Sequence, residues 1–208
     1  KKGMKIWGRE NSTNVRKVLW CAEELGLDYE HIPAGGAFGL VNSAEYRAMN
    51  PNGLVPVLED DGLVLWESNV IVRYLARAYG AAPFAPADAK AWAAAEKWMD
   101  WTSLSFAAPF RDLFWNKVRL GPGERDEAAM ERGRVQCGKV LGLADDVLSR
   151  QDWMSGSAFG FGDIPLGVIA YGWFNMEIER PALPHLEGWY RRLTERPAYR
   201  KGVMTPLT

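Results

Sequence analysis

Along the first eighty residues, the spacing of hydrophobic positions alternates between segments typical of β-strands and segments typical of helices. Four short segments have the character of β-strands: Met4–Gly8, Asp28–Ile32, Val55–Leu58 and Leu63–Trp66. Apolar residues at helical spacing follow Ser12 and Ser68, and a shorter helix is predicted over Ser43–Met49. A hairpin signal, Asp60-Asp61-Gly62, joins the last two strands. The order β-α-β-α-β-β-α predicts an α/β layer with a mixed four-stranded sheet.

The rest of the chain has the pattern of helices alone. Ala81–Ala87, with two prolines among small residues, is typical of a linker. Gly121-Pro122-Gly123 breaks the helical pattern, Pro109 is expected to end or kink a helix, and Ile164–Met176 is apolar nearly all round. The sequence therefore predicts an α/β domain over residues 1–81 and an all-α domain over residues 88–208.

Composition narrows the class of protein. The chain has 208 residues, 48% of them hydrophobic, and a formal net charge of -1, which argues against a dedicated nucleic-acid binder. The longest apolar stretch is shorter than the roughly 17–25 residues that a membrane span needs. Two cysteines, Cys21 and Cys137, make neither a disulfide framework nor a zinc pattern. No signal-peptide pattern is visible, so we expect a protein of the reducing cytoplasm that binds no metal.

Pro56 follows Val55 at the start of a predicted strand, although proline lacks the amide that a strand interior needs. If the Val55–Pro56 bond is cis, the backbone of Val55 turns outward and could pair with an extended peptide. The alternative is an ordinary proline at a strand edge.

Glu67 and Ser68 lie where a predicted strand gives way to a helix. The free amides of a helix start bind anions, and the two side chains add a carboxylate and a hydroxyl. Together they could hold a ligand that bears both a carboxylate and an ammonium group. The alternative is that Ser68 only caps its helix.

Ser12 lies at the first strand-to-helix turn. The two histidines of the chain, His31 and His185, are both distant from Ser12 in sequence. The sequence therefore gives little support for a Ser-His-Asp triad. The hydroxyl is better placed as a hydrogen-bond donor to a ligand than as a nucleophile.

These residues resemble the cytosolic glutathione S-transferases of bacterial type. The most specific segment is Asn50–Tyr79, NPNGLVPVLEDDGLVLWESNVIVRYLARAY, in which Pro56 matches the family's cis-proline. Glu67-Ser68 matches the pair that grips the γ-glutamyl end of glutathione. The resemblance is to the serine-using classes: it implies that Ser12 activates the glutathione thiol and that Asn14 assists. Thr13 is a weaker alternative to Ser12.

The resemblance also implies a fold and partners. It implies a thioredoxin-like first domain and a helical second domain that forms the pocket of an apolar electrophile. Candidates for that pocket are Phe106, Phe110 and Trp115; aromatic residues at helical spacing are also typical of a core. Glutathione is the expected co-substrate, a homodimer the expected assembly, and detoxification of electrophilic small molecules the expected activity. No membrane or nucleic acid is an expected partner.

One departure concerns the glycyl end of glutathione. The family often has lysine or glutamine just before the Val-Pro pair, where this chain has Leu54. Asn42, Arg47 or the amides of Gly35-Gly36-Ala37 could replace that partner, and the sequence does not choose among them.

Two rival functions reuse the same residues. One is another glutathione-dependent enzyme: a lyase, dehalogenase, peroxidase or isomerase. The other is a binding module that has kept the fold without catalysis; such modules often lose the Glu-Ser pair or the catalytic hydroxyl, and this chain has both.

Overall fold

The computed structural model describes residues 3–208, and these form two compact units. The first unit contains the residues up to Ala81 together with Arg196–Pro206, and the second contains Ala82–Glu195 with Leu207–Thr208. The division after Ala81 falls at the start of the segment Ala81–Ala87, which the sequence analysis interprets as a linker. The sequence predicts a helical domain over residues 88–208. In the structure, Arg196–Pro206 belongs to the first unit instead.

Secondary structure follows the predicted order. The strands are β1 (Lys5–Trp7), β2 (Glu30–Ile32), β3 (Val57–Asp60) and β4 (Leu63–Trp66). The helices are α1 (Thr13–Glu24), α2 (Ala44–Met49), α3 (Ser68–Tyr79), α4 (Ala89–Trp101), α5 (Ala107–Phe114), α6 (Glu127–Leu148), α7 (Ile164–Asn175), α8 (Pro184–Thr194) and α9 (Pro197–Gly202).

The first unit is built on a mixed sheet in the order β2-β1-β3-β4. Strand β1 pairs in parallel with β2 and antiparallel with β3, and β3 pairs antiparallel with β4 through the predicted hairpin. The parallel pair needs a crossover, which α1 supplies. The prediction of a mixed four-stranded sheet followed by a helical domain is confirmed.

Helix α9 packs on α1 within the first unit. Tyr199 is fully buried, with its ring 4.7 Å from that of Trp20. A Cβ on Gly202 would lie 2.7 Å from the Trp20 backbone, so the two helices approach as closely as glycine allows. The guanidinium of Arg196 donates to both carboxylate oxygens of Glu24, at 2.8 and 3.0 Å. These long-range contacts explain why α9 belongs to the first unit despite its distance in sequence.

In the second unit, one long helical path continues through Pro109 instead of ending there. A wide π-helical turn, Thr102–Phe106, precedes the proline, and a second one covers Trp115–Arg119. Proline lacks an amide and crowds the carbonyl four residues earlier. The wide turn just before Pro109 changes the pattern of backbone hydrogen bonds there, so the helix continues through the proline instead of ending.

Asp163 organises the start of α7. Its fully buried carboxylate accepts hydrogen bonds from the Met154 amide at 2.7 Å, the Gly160 amide at 3.1 Å and the Trp189 indole at 2.9 Å. The predicted apolar helix after it is confirmed, since α7 is buried over most of its length. Within residues 3–208, no helix has the length and apolar character that crossing a membrane requires.

Candidate functional site

The turn between β1 and α1 presents Ser12. A Cβ on Gly8 would lie 2.3 Å from Val15 Cγ2, and the φ of Gly8 is 150°, so this turn requires glycine. Ser12 is the N-cap of α1, and its Oγ accepts the Val15 amide at 3.3 Å. Within the described part of the chain, nothing accepts the Ser12 hydroxyl proton. The hydroxyl can therefore cap the helix and still donate to a ligand.

The loop before β3 presents the backbone of Val55. The Val55–Pro56 peptide bond is cis. The carbonyl of Leu54, just before it, accepts the Tyr46 hydroxyl at 2.6 Å and the Asn50 amide at 2.9 Å, which fixes the loop. Among residues 3–208, no group hydrogen-bonds the N–H or C=O of Val55. Both groups are thus available to an extended peptide ligand.

Glu67 and Ser68 form the start of α3. Glu67 is the N-cap, with φ 77° and ψ 105°, a strained conformation for a residue other than glycine. Among the residues that the structure describes, no side chain caps this helix. The alternative that Ser68 caps α3 is therefore wrong: Ser68 is the first helical residue, and the uncapped amides suit an anion.

The Ser68 hydroxyl joins α3 to α1. It donates to Asn14 Oδ1 at 3.3 Å and accepts from Lys17 Nζ at 3.3 Å. Lys17 Nζ also donates to Asn69 Oδ1 at 3.1 Å. Asn14 therefore lies beside the start of α3, and the structure brings Asn14, Glu67 and Ser68 together.

Lys17 contacts the residues of this candidate site, and the sequence reasoning did not predict it. Its side chain lies on α1 among buried apolar residues and is only 6% exposed. A signal was present: Lys17 lies three residues after Asn14, and therefore on the same face of the helix. Burial lowers the pKa of Lys17 to about 8, and the Glu67 carboxylate opposes that shift.

The candidates for the glycyl end fall into two groups. The Arg47 guanidinium donates to Asn42 Oδ1 at 2.8 Å and to the Pro51 carbonyl at 3.0 Å, so both predicted side chains are already engaged. Arg9 was not predicted. Its guanidinium lies so close to Gly35 and Gly36 that a Cβ on either glycine would approach within about 3 Å. The Gly35–Gly36 loop thus lies against a cation.

The three aromatic candidates for the electrophile pocket differ in exposure. Phe106 is fully buried and stacks on Phe110, which is 5% exposed, with ring centroids 5.8 Å apart. Trp115 is 36% exposed, and the guanidiniums of Arg111 and Arg119 lie 5.2 and 4.9 Å from its ring. The two phenylalanines pack as core residues of the second unit, whereas Trp115 is partly exposed, with two guanidiniums beside its ring.

The two cysteines are buried, and His31 is engaged with the backbone. Both thiols are buried, and burial raises the pKa of Cys137 to about 12 and that of Cys21 further still. His31 hydrogen-bonds the Gly8 carbonyl at 2.6 Å. In the chain from residue 3 onward, no group of three or more His, Cys, Asp or Glu side chains could hold a metal ion.

Taken together, the first unit has an open backbone edge for an extended peptide, a helix start for an anion, and a serine hydroxyl at the end of the neighbouring strand. Comparison with known proteins identifies the class. The family described as glutathione S-transferase, N-terminal domain, matches residues 11–78, and glutathione S-transferase, C-terminal domain, matches residues 94–197.

Individual relatives match over nearly their whole length. Glutathione S-transferase GstB of Escherichia coli (strain K12) is 47% identical over 98% of this chain and 99% of its own. Glutathione S-transferase 3 of Zea mays is 32% identical over 96% of this chain and 93% of its own.

A theta-class glutathione S-transferase of Xanthomonas axonopodis pv. citri, solved with glutathione bound, superimposes with a TM-score of 0.97 at 55% identity. Each of the two chains is 99% covered in that comparison. This chain belongs to the glutathione S-transferase family, and its activity is that of a glutathione transferase.

Proposed function

We propose that Ser12 activates the thiol of bound glutathione, and that the thiolate attacks small, mostly apolar electrophiles. The observation that carries the proposal is the Ser12 hydroxyl, which caps α1 while no described residue accepts its proton. Asn14 is proposed as an auxiliary, because it orders the Ser68 hydroxyl on the neighbouring helix start.

The energies are sufficient without a metal or a separate base. A free thiol has a pKa near ~8.5, so only roughly 3% is ionised at pH 7. Lowering that pKa by ~2 units requires about 2.7 kcal/mol. A hydrogen bond from Ser12 to the anionic sulfur contributes about 1.5–3 kcal/mol. The start of α1 adds about 0.3–1 kcal/mol through its dipole.

The binding mode follows from the groups left open. The cysteinyl backbone of glutathione pairs with the N–H and C=O of Val55, next to Pro56. The α-carboxylate of the γ-glutamyl group occupies the start of α3 at Ser68, and its ammonium pairs with Glu67. The glycyl carboxylate lies toward the Gly35–Gly36 loop, where Arg9 supplies positive charge.

The reaction forms one bond and breaks one. A lone pair of the sulfur forms the new carbon–sulfur bond, and the leaving group departs with the electrons of the bond that breaks. The thiol proton passes to solvent when glutathione binds. The protein thus activates a nucleophile of its substrate and not one of its own.

The electrophile is proposed to bind on the helical unit at Phe106, Phe110 and Trp115. Exposure favours Trp115 as the residue that touches it, with the phenylalanines forming the packed support. We also propose a homodimer in the cytoplasm. Exposed apolar side chains of β4 and α3, among them Val64, Trp66 and Val70, support a self-association surface. The two free thiols suit a reducing compartment.

Binding and conjugation assays test the proposal together. We expect retention on immobilised glutathione and conjugation of a generic aryl halide, with a pH–rate profile that reports a thiol pKa below ~8.5. Binding without turnover across several electrophiles would support the non-catalytic module. Turnover confined to thiol oxidation, isomerisation or dehalogenation would support another glutathione-dependent enzyme. Absence of glutathione binding contradicts all three.

A further inference from the structure

The buried ammonium of Lys17 is unusual in having neutral partners. Lys17 Nζ donates to Ser68 Oγ at 3.3 Å and to Asn69 Oδ1 at 3.1 Å, and these are the first two residues of α3. An ammonium carries three N–H groups. Within residues 3–208, these contacts therefore leave one N–H of Lys17 without an acceptor, at a helix start that carries no side-chain cap.

No carboxylate of the described residues forms an ion pair with Lys17. Glu67, which precedes α3, is the charged group that acts on the ammonium, and it does so from beyond ion-pair distance. On the same helix, Asn14 is neutral, and Arg16 is directed to the carbonyls of Thr205 and Pro206. Buried charges are normally paired, so the position calls for an anion that the described residues do not supply.

We propose that the Lys17 ammonium is the counter-ion of the ligand's α-carboxylate. Lys17 extends from α1 to the start of α3, where it also holds Ser68 and Asn69. The inference rests on the proposed glutathione function and adds a positioning residue to it. Lys17 holds the side chains of Ser68 and Asn69 in place, and its positive charge balances the negative charge of the bound carboxylate.

A proton should accompany the ligand. Because burial lowers the pKa of Lys17 to about 8, the ligand-free site at that pH holds a mixture of ammonium and neutral amine. A bound carboxylate favours the ammonium and raises its pKa. Binding at about pH 8 should therefore take up roughly half a proton per ligand, by linkage.

The probe is S-methylglutathione, whose blocked sulfur cannot release a proton of its own. Its binding is measured by isothermal titration calorimetry at about pH 8 in two buffers of different ionisation enthalpy, which yields the proton uptake. A second probe is the same peptide with hydrogen in place of the γ-glutamyl α-carboxylate.

Two substitutions separate charge from packing. Lys17→Met keeps a long buried chain and removes the charge; it should weaken S-methylglutathione binding by about 10- to 100-fold and abolish the proton uptake. Lys17→Arg should restore much of the affinity but not the uptake, because arginine stays protonated. Lys97→Met, at an exposed position of the second unit, is the matched control and should change neither quantity.

The outcomes decide the inference separately from the function. If S-methylglutathione fails to bind the unaltered protein, the proposed function itself is refuted. If it binds, but Lys17→Met has unchanged affinity and unchanged uptake, only the role of Lys17 is refuted. Should Lys17→Met not fold, the carboxylate-free peptide decides: proton uptake equal to that of S-methylglutathione overturns the proposal, and loss of uptake supports it.

Discussion

Replacing Ser12 by alanine separates the two tasks that its hydroxyl performs. Ser12→Ala removes the cap on Val15 N–H and the donor proposed for the glutathione sulfur. Loss of the cap costs about 1 kcal/mol of stability, which lowers Tm by about 2–4 °C in a chain of this size. Loss of a hydrogen bond to an anion costs about 1.5–3 kcal/mol, and one pKa unit is worth 1.36 kcal/mol. The pKa of the bound thiol should rise by about 1–2 units.

The assay is a pH titration of the ultraviolet thiolate absorbance of bound glutathione, with conjugation rates measured in parallel. At pH 7, turnover should fall by about 3- to 25-fold, since a rise of about 1–2 units in the thiol pKa leaves that much less of the bound thiol ionised. Asp88→Ala is the matched control: it removes the cap of α4, where Asp88 Oδ2 accepts the Ala91 amide at 3.0 Å. It should reproduce the loss in Tm with the thiol pKa unmoved. An identical thiol pKa in Ser12→Ala and the unaltered protein would refute the role assigned to Ser12.

Four further outcomes are expected. Ser68→Ala should weaken glutathione binding about tenfold in calorimetry, because it removes the link between the two helices; an unchanged Kd would contradict its role. Gly202→Ala should lower stability in denaturant unfolding by about 1–3 kcal/mol, since its Cβ would press on the Trp20 backbone, and equal stability would refute that close fit. Asp163→Ala should cost more than about 3 kcal/mol in the same assay, because its buried donors lose their acceptor. Because burial lowers the pKa of Lys17 to about 8, the unfolded chain binds more protons above that pH than the folded chain does. The free energy of unfolding of the ligand-free protein should therefore receive a contribution from Lys17 that rises between about pH 8 and pH 10. Lys17→Met should lack that rise in thermal melts across the range.

Local signals in the sequence were enough to predict the helix cap at Ser12 and the hairpin turn. A serine before an apolar-periodic segment predicted the turn at Ser12, and the structure makes it the N-cap of α1. Asp60-Asp61-Gly62 predicted the hairpin, where Asp61 and Gly62 both have positive φ. The physical reason is that caps and turns depend on a few residues that are neighbours in the sequence.

Long-range features were not accessible in the same way. Lys17 is buried because α3 supplies oxygen acceptors, and the periodicity of α1 contains no information about α3. The alternative that Ser68 caps α3 fails because Glu67, with φ 77°, is the N-cap and Ser68 is the first helical residue. The helix continues through Pro109 because a wide turn forms before it, which depends on packing in the second unit.

The return of Arg196–Pro206 to the first unit bears on how the protein is made. During synthesis the sheet and its first three helices leave the ribosome long before α9, which packs on the helix that carries Ser12 and Lys17. Until Arg196–Pro206 has emerged, α1 lacks the partner that covers Trp20, so the catalytic half stays incomplete through translation of the whole helical half. A nascent chain halted after Ala81 should therefore be proteolytically sensitive at α1, and a gene that encodes only the first eighty-one residues should not yield an independently stable glutathione-binding module.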